Sequence, residues 1–338
     1  MSKMAQQPAR RIAVLGGGAW GTALANLAAR AGAQVILWTR DPAHAAEIAA
    51  TGFNARRLPG VPLLANVTAT SDLALIQGAD IVLLAVPAQT LRETAARARP
   101  HIAPHVPVII CAKGIERATG LFMSDVIAQT LPDNPPAVLS GPSFAEDVAR
   151  GLPTAVTLAA RDAEGAEALA AAFAAPWFRL YHTADIRGVE IGGSVKNVLA
   201  IACGIAAGRG LGKSAGAALI ARGFAELTRF GRALGADPGT LMGLAGLGDL
   251  VLTCGSTQSR NYSFGFALGQ GVSVEDAQAA AGTVEGAQTC GILVELARRQ
   301  GVDMPIAQAV ESVLTGRASV EDAITALLAR PAKAEARL

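Results

Sequence analysis

The feature that most constrains this chain is an apolar run that delivers three spaced glycines, Arg11-Ile-Ala-Val-Leu-Gly-Gly-Gly-Ala-Trp-Gly21. A strand leaving into Gly16, Gly18 and Gly21 brings a tight turn and a helix N-terminus against a pyrophosphate. Gly16 makes the exit and Gly18 clears room for the phosphates. Gly21 lets the helix approach the sheet, and the free backbone N–H groups at its start receive the anion. Trp20 lies inside this loop, where its indole can cover a cofactor. A glycine-rich turn without special purpose is the bland alternative, and the preceding strand argues against it.

The pattern that follows repeats strand and helix. Apolar stretches at 12–15, 34–39, 67–70, 80–85, 106–111, 137–140, 155–158 and 178–181 read as strands. Helices are expected at 19–31, from Asp41-Pro42, from Ser71, towards Arg99, at 121–130 and after Ser143. A polar, proline-bearing stretch at 51–62 interrupts the rhythm. Short strands separated by helices indicate a mostly parallel sheet covered on both faces. After Asp185 the rhythm changes to helices at 192–209, 214–235, 261–269, 285–299 and 304–314, ending in a frayed tail at 331–338. The expected fold class is therefore α/β: a Rossmann-like, mostly parallel sheet domain (1–184) that binds a dinucleotide, followed by an all-helical C-terminal domain (185–338). The second domain would bind substrate and carry catalysis, with the active site in the cleft between them.

Composition narrows the function. A formal net charge of +2 on 338 residues gives no nucleic-acid surface and no polybasic membrane patch. Hydrophobic residues reach 51% and mean hydropathy is +0.37. Apolar runs such as 81–86 and 108–111 are nevertheless too short to cross a bilayer, so no membrane span is expected. Residues 1–10 lack the apolar core of a signal peptide, which points to the cytoplasm. Cys111, Cys203, Cys254 and Cys290 are scattered, as small buried side chains in a reducing compartment would be. The histidines build no metal cage: His44 and His101 read as surface residues, His105 borders a strand and His182 is nearest the domain junction. No metal is expected.

Several side chains are candidates for chemistry. Arg40 stands at the tip of the second strand, where an acidic residue usually meets the adenosine ribose. Its planar fork suits a 2′-phosphate, so NADP is favoured over NAD. Asp41 reads chiefly as a helix cap. Lys113 follows a strand at its carboxyl end, where ligands gather in open sheets. Gly141-Pro142-Ser143 offers backbone donors and a hydroxyl to a small anion, or simply a turn and cap. Lys196, beside Asn197, is the sole cation on an apolar, glycine-rich helix. A lysine desolvated in a cleft loses proton affinity and can act as a general acid or base. Asp249, on a glycine-hinged loop, would orient that ammonium if near it. Ser259-Arg260-Asn261 combines hydroxyl, guanidinium and amide, a set that grips phosphate. Thr283-Val284-Glu285-Gly286 either places Glu285 near a ribose or adenine, or caps a helix.

Taken together, these segments resemble the bacterial NAD(P)-dependent glycerol-3-phosphate dehydrogenase family. The resemblance runs through 16–21, Ala112-Lys113-Gly114, Ser140-Gly-Pro-Ser-Phe144 and Gly192-Gly-Ser-Val-Lys-Asn197. It continues through Ala245-Gly-Leu-Gly-Asp249, Thr257-Gln-Ser-Arg-Asn261 and Val284-Glu-Gly286, covering nearly the whole folded chain. It implies reversible reduction of dihydroxyacetone phosphate to sn-glycerol 3-phosphate, feeding glycerophospholipid synthesis. Lys196 would then exchange the proton, with Lys113 and Asp249 as catalytic partners. Lys113, Gly141, Ser143, Lys196, Asp249, Ser259, Arg260 and Asn261 would line the substrate site. Gly16, Gly18, Ala19, Trp20, Gly21, Arg40, Lys113, Ala145, Arg260, Thr283 and Glu285 would form the cofactor side. Ser143 replaces a frequent threonine and keeps its hydroxyl, whereas Ala19 replaces a frequent serine and loses one phosphate contact. A homodimer is expected, although the apolar helical half suits an internal core equally. The competing readings are another two-domain hydroxy-acid or sugar-acid dehydrogenase, and a non-catalytic NADP-binding sensor.

Overall fold

The computed structural model describes residues 10–331; residues 1–9 and the rest of the expected frayed tail, 332–338, lie outside the described residues. The first half alternates as β1 (Arg11–Leu15), α1 (Ala19–Arg30), β2 (Gln34–Trp38), α2 (Pro42–Thr51), β3 (Val67–Thr70), β4 (Ile81–Leu84) and α3 (Ala88–Ala98). It continues with β5 (Val108–Ile110), α4 (Met123–Thr130), β6 (Pro136–Ser140), α5 (Ala145–Arg150), β7 (Thr154–Ala159), α6 (Ala163–Ala171) and β8 (Phe178–Thr183). The eight strands form one sheet in the order β3-β2-β1-β4-β5-β6-β7-β8. The first six are parallel; β7 runs antiparallel to β6 and parallel to β8. Central strands are unbroken apolar runs because helices cover both their faces, and Ile12, Val14, Val82, Leu84, Val108 and Ile110 are fully enclosed.

Between β1 and β4 the strand order reverses direction, which opens a crevice at their carboxyl ends. Gly16 sits there with φ 127°, and a Cβ on it would meet the Ala85 carbonyl oxygen at 2.6 Å. Only glycine tolerates both conditions.

The second half consists of helices: α7 (Ile186–Gly208), α8 (Gly212–Ala233), α9 (Pro238–Met242), α10 (Asp249–Cys254) and α11 (Arg260–Gly269). α12 (Val274–Ala281), α13 (Glu285–Arg299), α14 (Pro305–Leu314) and α15 (Val320–Leu328) complete it. α7 is its axle. With 23 residues and a mean hydropathy of 1.4 it is long and apolar enough to cross a membrane, yet 83% of that window is buried inside the protein. It crosses α11 at backbone contact: a Cβ on Gly204 would lie 2.1 Å from the Tyr262 carbonyl oxygen, and one on Gly265 2.1 Å from that of Ile201. Gly208 and Gly269 repeat the contact one turn further on.

The halves interlock. Val189 of α7 and Ala245 pack into the core beneath the sheet, while Ile115 and Phe122 join the helical core. The buried Glu190 carboxylate accepts hydrogen bonds from Ser124 N and Oγ at the start of α4, at 2.7 and 2.8 Å. Arg187 pairs with Asp125 at 2.9 Å.

Several expectations are corrected. α7 begins at Ile186 rather than 192, capped by Asp185, whose side chain accepts from Gly188 N. The helix expected from Ser71 is one 3-10 turn, Leu73–Ile76, ended by Gly78 with φ 76°. α6, α9, α10, α12 and α15 were not expected. His44 is buried, not a surface residue, because its ring is bonded on both sides. His105 and His182 are exposed.

Candidate active site

Three charged side chains meet where the halves join. Asp249, the first residue of α10, is fully buried and lies between two ammonium groups. Its Oδ1 accepts from Lys196 Nζ at 2.5 Å, and its Oδ2 from Lys113 Nζ at 2.7 Å. Lys196 comes from the middle of α7, and Lys113 from the carboxyl end of β5. Gly192 and Gly193 make the approach possible. A Cβ on Gly192 would press into the Ala245 carbonyl at 2.3 Å, and one on Gly193 would meet Ser140 Oγ at 2.9 Å and Lys113 Cγ at 3.3 Å. The glycine pair therefore seats the Asp249 loop on one side of α7 and Lys113 on the other.

Thr253 was not among the sequence candidates. It lies four residues after Asp249 on the same face of α10, and its Oγ1 accepts from Lys196 Nζ at 2.8 Å. Ser140 Oγ lies 3.5 Å from Asp249 Oδ2, and Lys113 Nζ 3.4 Å from the Gly141 carbonyl. Burial pulls the Lys196 ammonium down to about 8, with the Asp249 carboxylate holding against the fall and the Lys113 ammonium adding to it. Burial alone would raise the Asp249 carboxyl; the two lysines outweigh it and hold the group below the usual carboxylate range.

A chain of amides runs outward from this centre. Asn197 Nδ2 donates to the Lys113 carbonyl at 3.3 Å, and Asn197 Oδ1 accepts from Asn261 Nδ2 at 3.1 Å. Asn261 Oδ1 accepts from Gly286 N at 2.9 Å. One Asn261 N–H is thus left for a ligand. Ser259 is the buried cap of α11, its side chain accepting from Tyr262 N, while Arg260 beside it is exposed. Glu285 begins α13, and its Oε1 accepts from Ala88 N at 3.4 Å; burial raises its carboxyl despite the positive field of Arg260 and both lysines. Ser143 bonds the Gly141 carbonyl at 3.1 Å. Ala145 opens α5, and Thr283 is half-buried just ahead of α13.

The cofactor candidates gather around the crevice between β1 and β4. Gly18 caps α1 without a side-chain bond, and a Cβ there would meet nothing within 4 Å. The space suits a pyrophosphate facing the first N–H groups of α1, of which Ala19 and Trp20 are the first residues. Gly21 lies against the strand exit, since a Cβ there would strike the Gly16 carbonyl oxygen. The Trp20 indole N–H is buried with no hydrogen-bond partner among the described residues, which fits a polar atom of a bound cofactor there. Arg40 is exposed beyond β2 and free to meet a phosphate, whereas Asp41 caps α2 by accepting from Ala43 N at 3.0 Å. The structure thus joins Lys113, Gly141, Lys196 and Asp249 directly and links Asn261 through Asn197. It leaves Arg40 at the far end of the dinucleotide crevice.

This fold and site define a two-domain, dinucleotide-dependent oxidoreductase built around a buried lysine. Residues 11–166 match the family described as NAD-dependent glycerol-3-phosphate dehydrogenase N-terminus, and residues 185–325 its C-terminus. The chain belongs to the NAD-dependent glycerol-3-phosphate dehydrogenase family. It is 68% identical over 327 residues to the NAD(P)+ glycerol-3-phosphate dehydrogenase of Beijerinckia indica, covering 96% of this chain and 98% of that one. The protein of the same name from Azorhizobium caulinodans is 61% identical over 326 residues, with the same coverage. A crystal structure of glycerol-3-phosphate dehydrogenase from Coxiella burnetii superposes with a TM-score of 0.91 at 40% identity, covering 95% of this chain and 99% of that chain.

Replacing Asp249 by asparagine keeps the shape and leaves two ammonium groups without a counter-charge. We expect a loss of about 3–5 kcal/mol at neutral pH, read as a lower urea midpoint. Lys196, already held low by burial, would lose the support of the Asp249 carboxylate and bind its proton more weakly still, so this loss should shrink as pH rises. A wild-type midpoint would show that the carboxylate is dispensable to the fold.

Proposed function

We propose that this protein reduces dihydroxyacetone phosphate reversibly to sn-glycerol 3-phosphate with NADPH or NADH, NADPH being favoured. The observation that carries the reading is the Lys113–Asp249–Lys196 arrangement, with Lys196 brought to about 8. A proton donor works best when its affinity lies near the working pH. In the reducing direction Lys196 gives its proton to the C2 oxygen as the alkoxide develops, and in the oxidising direction it takes that proton from the C2 hydroxyl. The bound nicotinamide supplies or accepts the hydride. Lys113 offers a second positive charge to the same oxygen. Asp249 and Thr253 fix the direction of the Lys196 ammonium. Arg260 and the remaining Asn261 N–H hold the phosphate, with Ser259, Gly141 and Ser143 shaping the site.

On this reading residues 1–184 carry the dinucleotide on Gly16, Gly18, Ala19, Trp20, Gly21, Arg40, Ala145, Thr283 and Glu285, the last two reaching over from the helical half. Residues 185–338 carry substrate and proton. The setting proposed is the cytoplasm, supplying glycerol 3-phosphate to phospholipid synthesis; four free, buried thiols suit a reducing compartment. We also propose a homodimer. It is supported by an apolar groove of about 1000 Å³ between α8, α14 and α15, whose lining includes the exposed Leu211 and Leu328. Sedimentation equilibrium should give the mass of two chains, and Leu328→Asp should shift it towards one. A monomer in the wild type would remove the dimer from the proposal.

Lys196→Ala should lower turnover ~10²–10⁴-fold and leave the dissociation constant of NADPH unchanged. Reduction needs the charged lysine and oxidation the neutral one. As pH rises through about 8, dihydroxyacetone phosphate reduction should therefore fall and glycerol 3-phosphate oxidation should rise, both followed by nicotinamide absorbance. Parallel pH profiles would exclude Lys196 as the proton carrier. Arg40→Ala should weaken NADPH by roughly tenfold or more while barely affecting NADH. Equal losses would place the 2′-phosphate elsewhere.

A further inference from the structure

The polar stretch at 51–62 that interrupts the strand–helix rhythm carries a side chain with no obvious task, Asn54. It is completely buried. Its Nδ2 donates to the Gly17 carbonyl at 2.9 Å and to Thr22 Oγ1 at 2.7 Å. These two bonds use both amide protons, so Oδ1 must accept. The neighbour at Oδ1 is His44 Nε2, at 2.8 Å, which must therefore carry the ring proton. His44 Nδ1 is then the acceptor for Thr39 Oγ1 at 3.3 Å, and Thr22 Oγ1 passes its own proton to the Gly18 carbonyl at 2.9 Å.

Every donor in this chain points one way, and its four side chains, Thr39, His44, Asn54 and Thr22, are all buried. It starts at Thr39, next to Arg40 at the tip of β2, and ends on the carbonyls of Gly17 and Gly18. Thr39 also closes the other side of the loop, because a Cβ on Gly17 would meet Thr39 Cβ at 2.9 Å. In a trans peptide the C=O and the following N–H point in opposite directions. Holding the Gly17 carbonyl inward therefore turns the Gly18 N–H outward, into the open space where the pyrophosphate would sit.

We propose that Asn54 is the positioning residue of the dinucleotide site. Through Gly17 and Thr22 it orients the glycine loop towards the pyrophosphate. Through His44 and Thr39 it ties that loop to the strand tip carrying Arg40. It touches neither cofactor nor substrate. The inference rests on the dinucleotide reading of the glycine loop and adds the device that shapes it.

The test is direct titration of the full-length protein with NADPH and with NADH, following nicotinamide fluorescence, with the melting temperature measured in parallel. Asn54→Asp replaces the two donors by an oxygen facing Gly17 O and Thr22 Oγ1; it should weaken both cofactors roughly tenfold. Should that variant not fold, two changes at Thr22 decide the matter. Thr22→Val keeps the packing and removes the hydroxyl, and should weaken both cofactors several-fold. Thr22→Ser keeps the hydroxyl and loses a buried methyl, and should melt lower yet bind as the wild type does. Binding that follows melting temperature instead of the hydroxyl would overturn the proposal, leaving the network a structural one. A wild-type protein that binds neither NADPH nor NADH would overturn the dinucleotide reading itself, and this inference with it.

Discussion

One carboxylate between two ammonium groups is the constraint on which the rest of the structure depends. Burying Lys196 next to Lys113 without Asp249 would force at least one of them to lose its proton. With Asp249 in place the cluster keeps an excess of one positive charge in a site where Asp249 and Lys196 are buried and Lys113 is only partly exposed. Such a site favours an anion, whether a phosphorylated ligand or an oxygen gaining charge during reaction. Because Lys113 comes from the sheet half and the other two from the helical half, the same contact also fixes how the halves meet. The features around it serve this contact: the glycine pair in α7 that admits both partners, the hydroxyl of Thr253 and the amide chain through Asn197.

Much of the fold was legible because burial on both faces leaves a plain trace. The apolar runs that became β4 and β5, and the glycine exit from β1, can hardly be anything else. The start of α7 was hidden for a local reason. The expected helix opens at Gly192, and the turn before it, which carries Gly188, gives no apolar periodicity; the structure shows that Gly188 N is bonded by the Asp185 cap and that Gly192 and Gly193 admit Ala245 and Lys113. α12 and α15 did carry signals, since Ser273 and Ser319 cap helices whose third residue is acidic. The lysine–aspartate–lysine cluster was legible residue by residue, but its geometry was not, because 53 positions separate Lys196 from Asp249. Thr253 could have been found from its spacing to Asp249. His44 and Asn54 could not. Their burial is decided by an irregular segment folding over α1, and no periodicity reports that.

The backbone contact between α7 and α11 has a consequence beyond packing. With glycines opposed over two successive turns, neither helix can slide or tilt without the other. Lys196, proposed to carry the proton, rides on one of these helices, and Arg260 and Asn261, proposed to hold the phosphate, ride on the other. On the function proposed, the distance between the two ends of the substrate is then a constant of the scaffold. The enzyme would measure its ligand as a fixed gauge does, accepting a three-carbon phosphate and rejecting a longer one by length alone, with no need for a side chain that clashes.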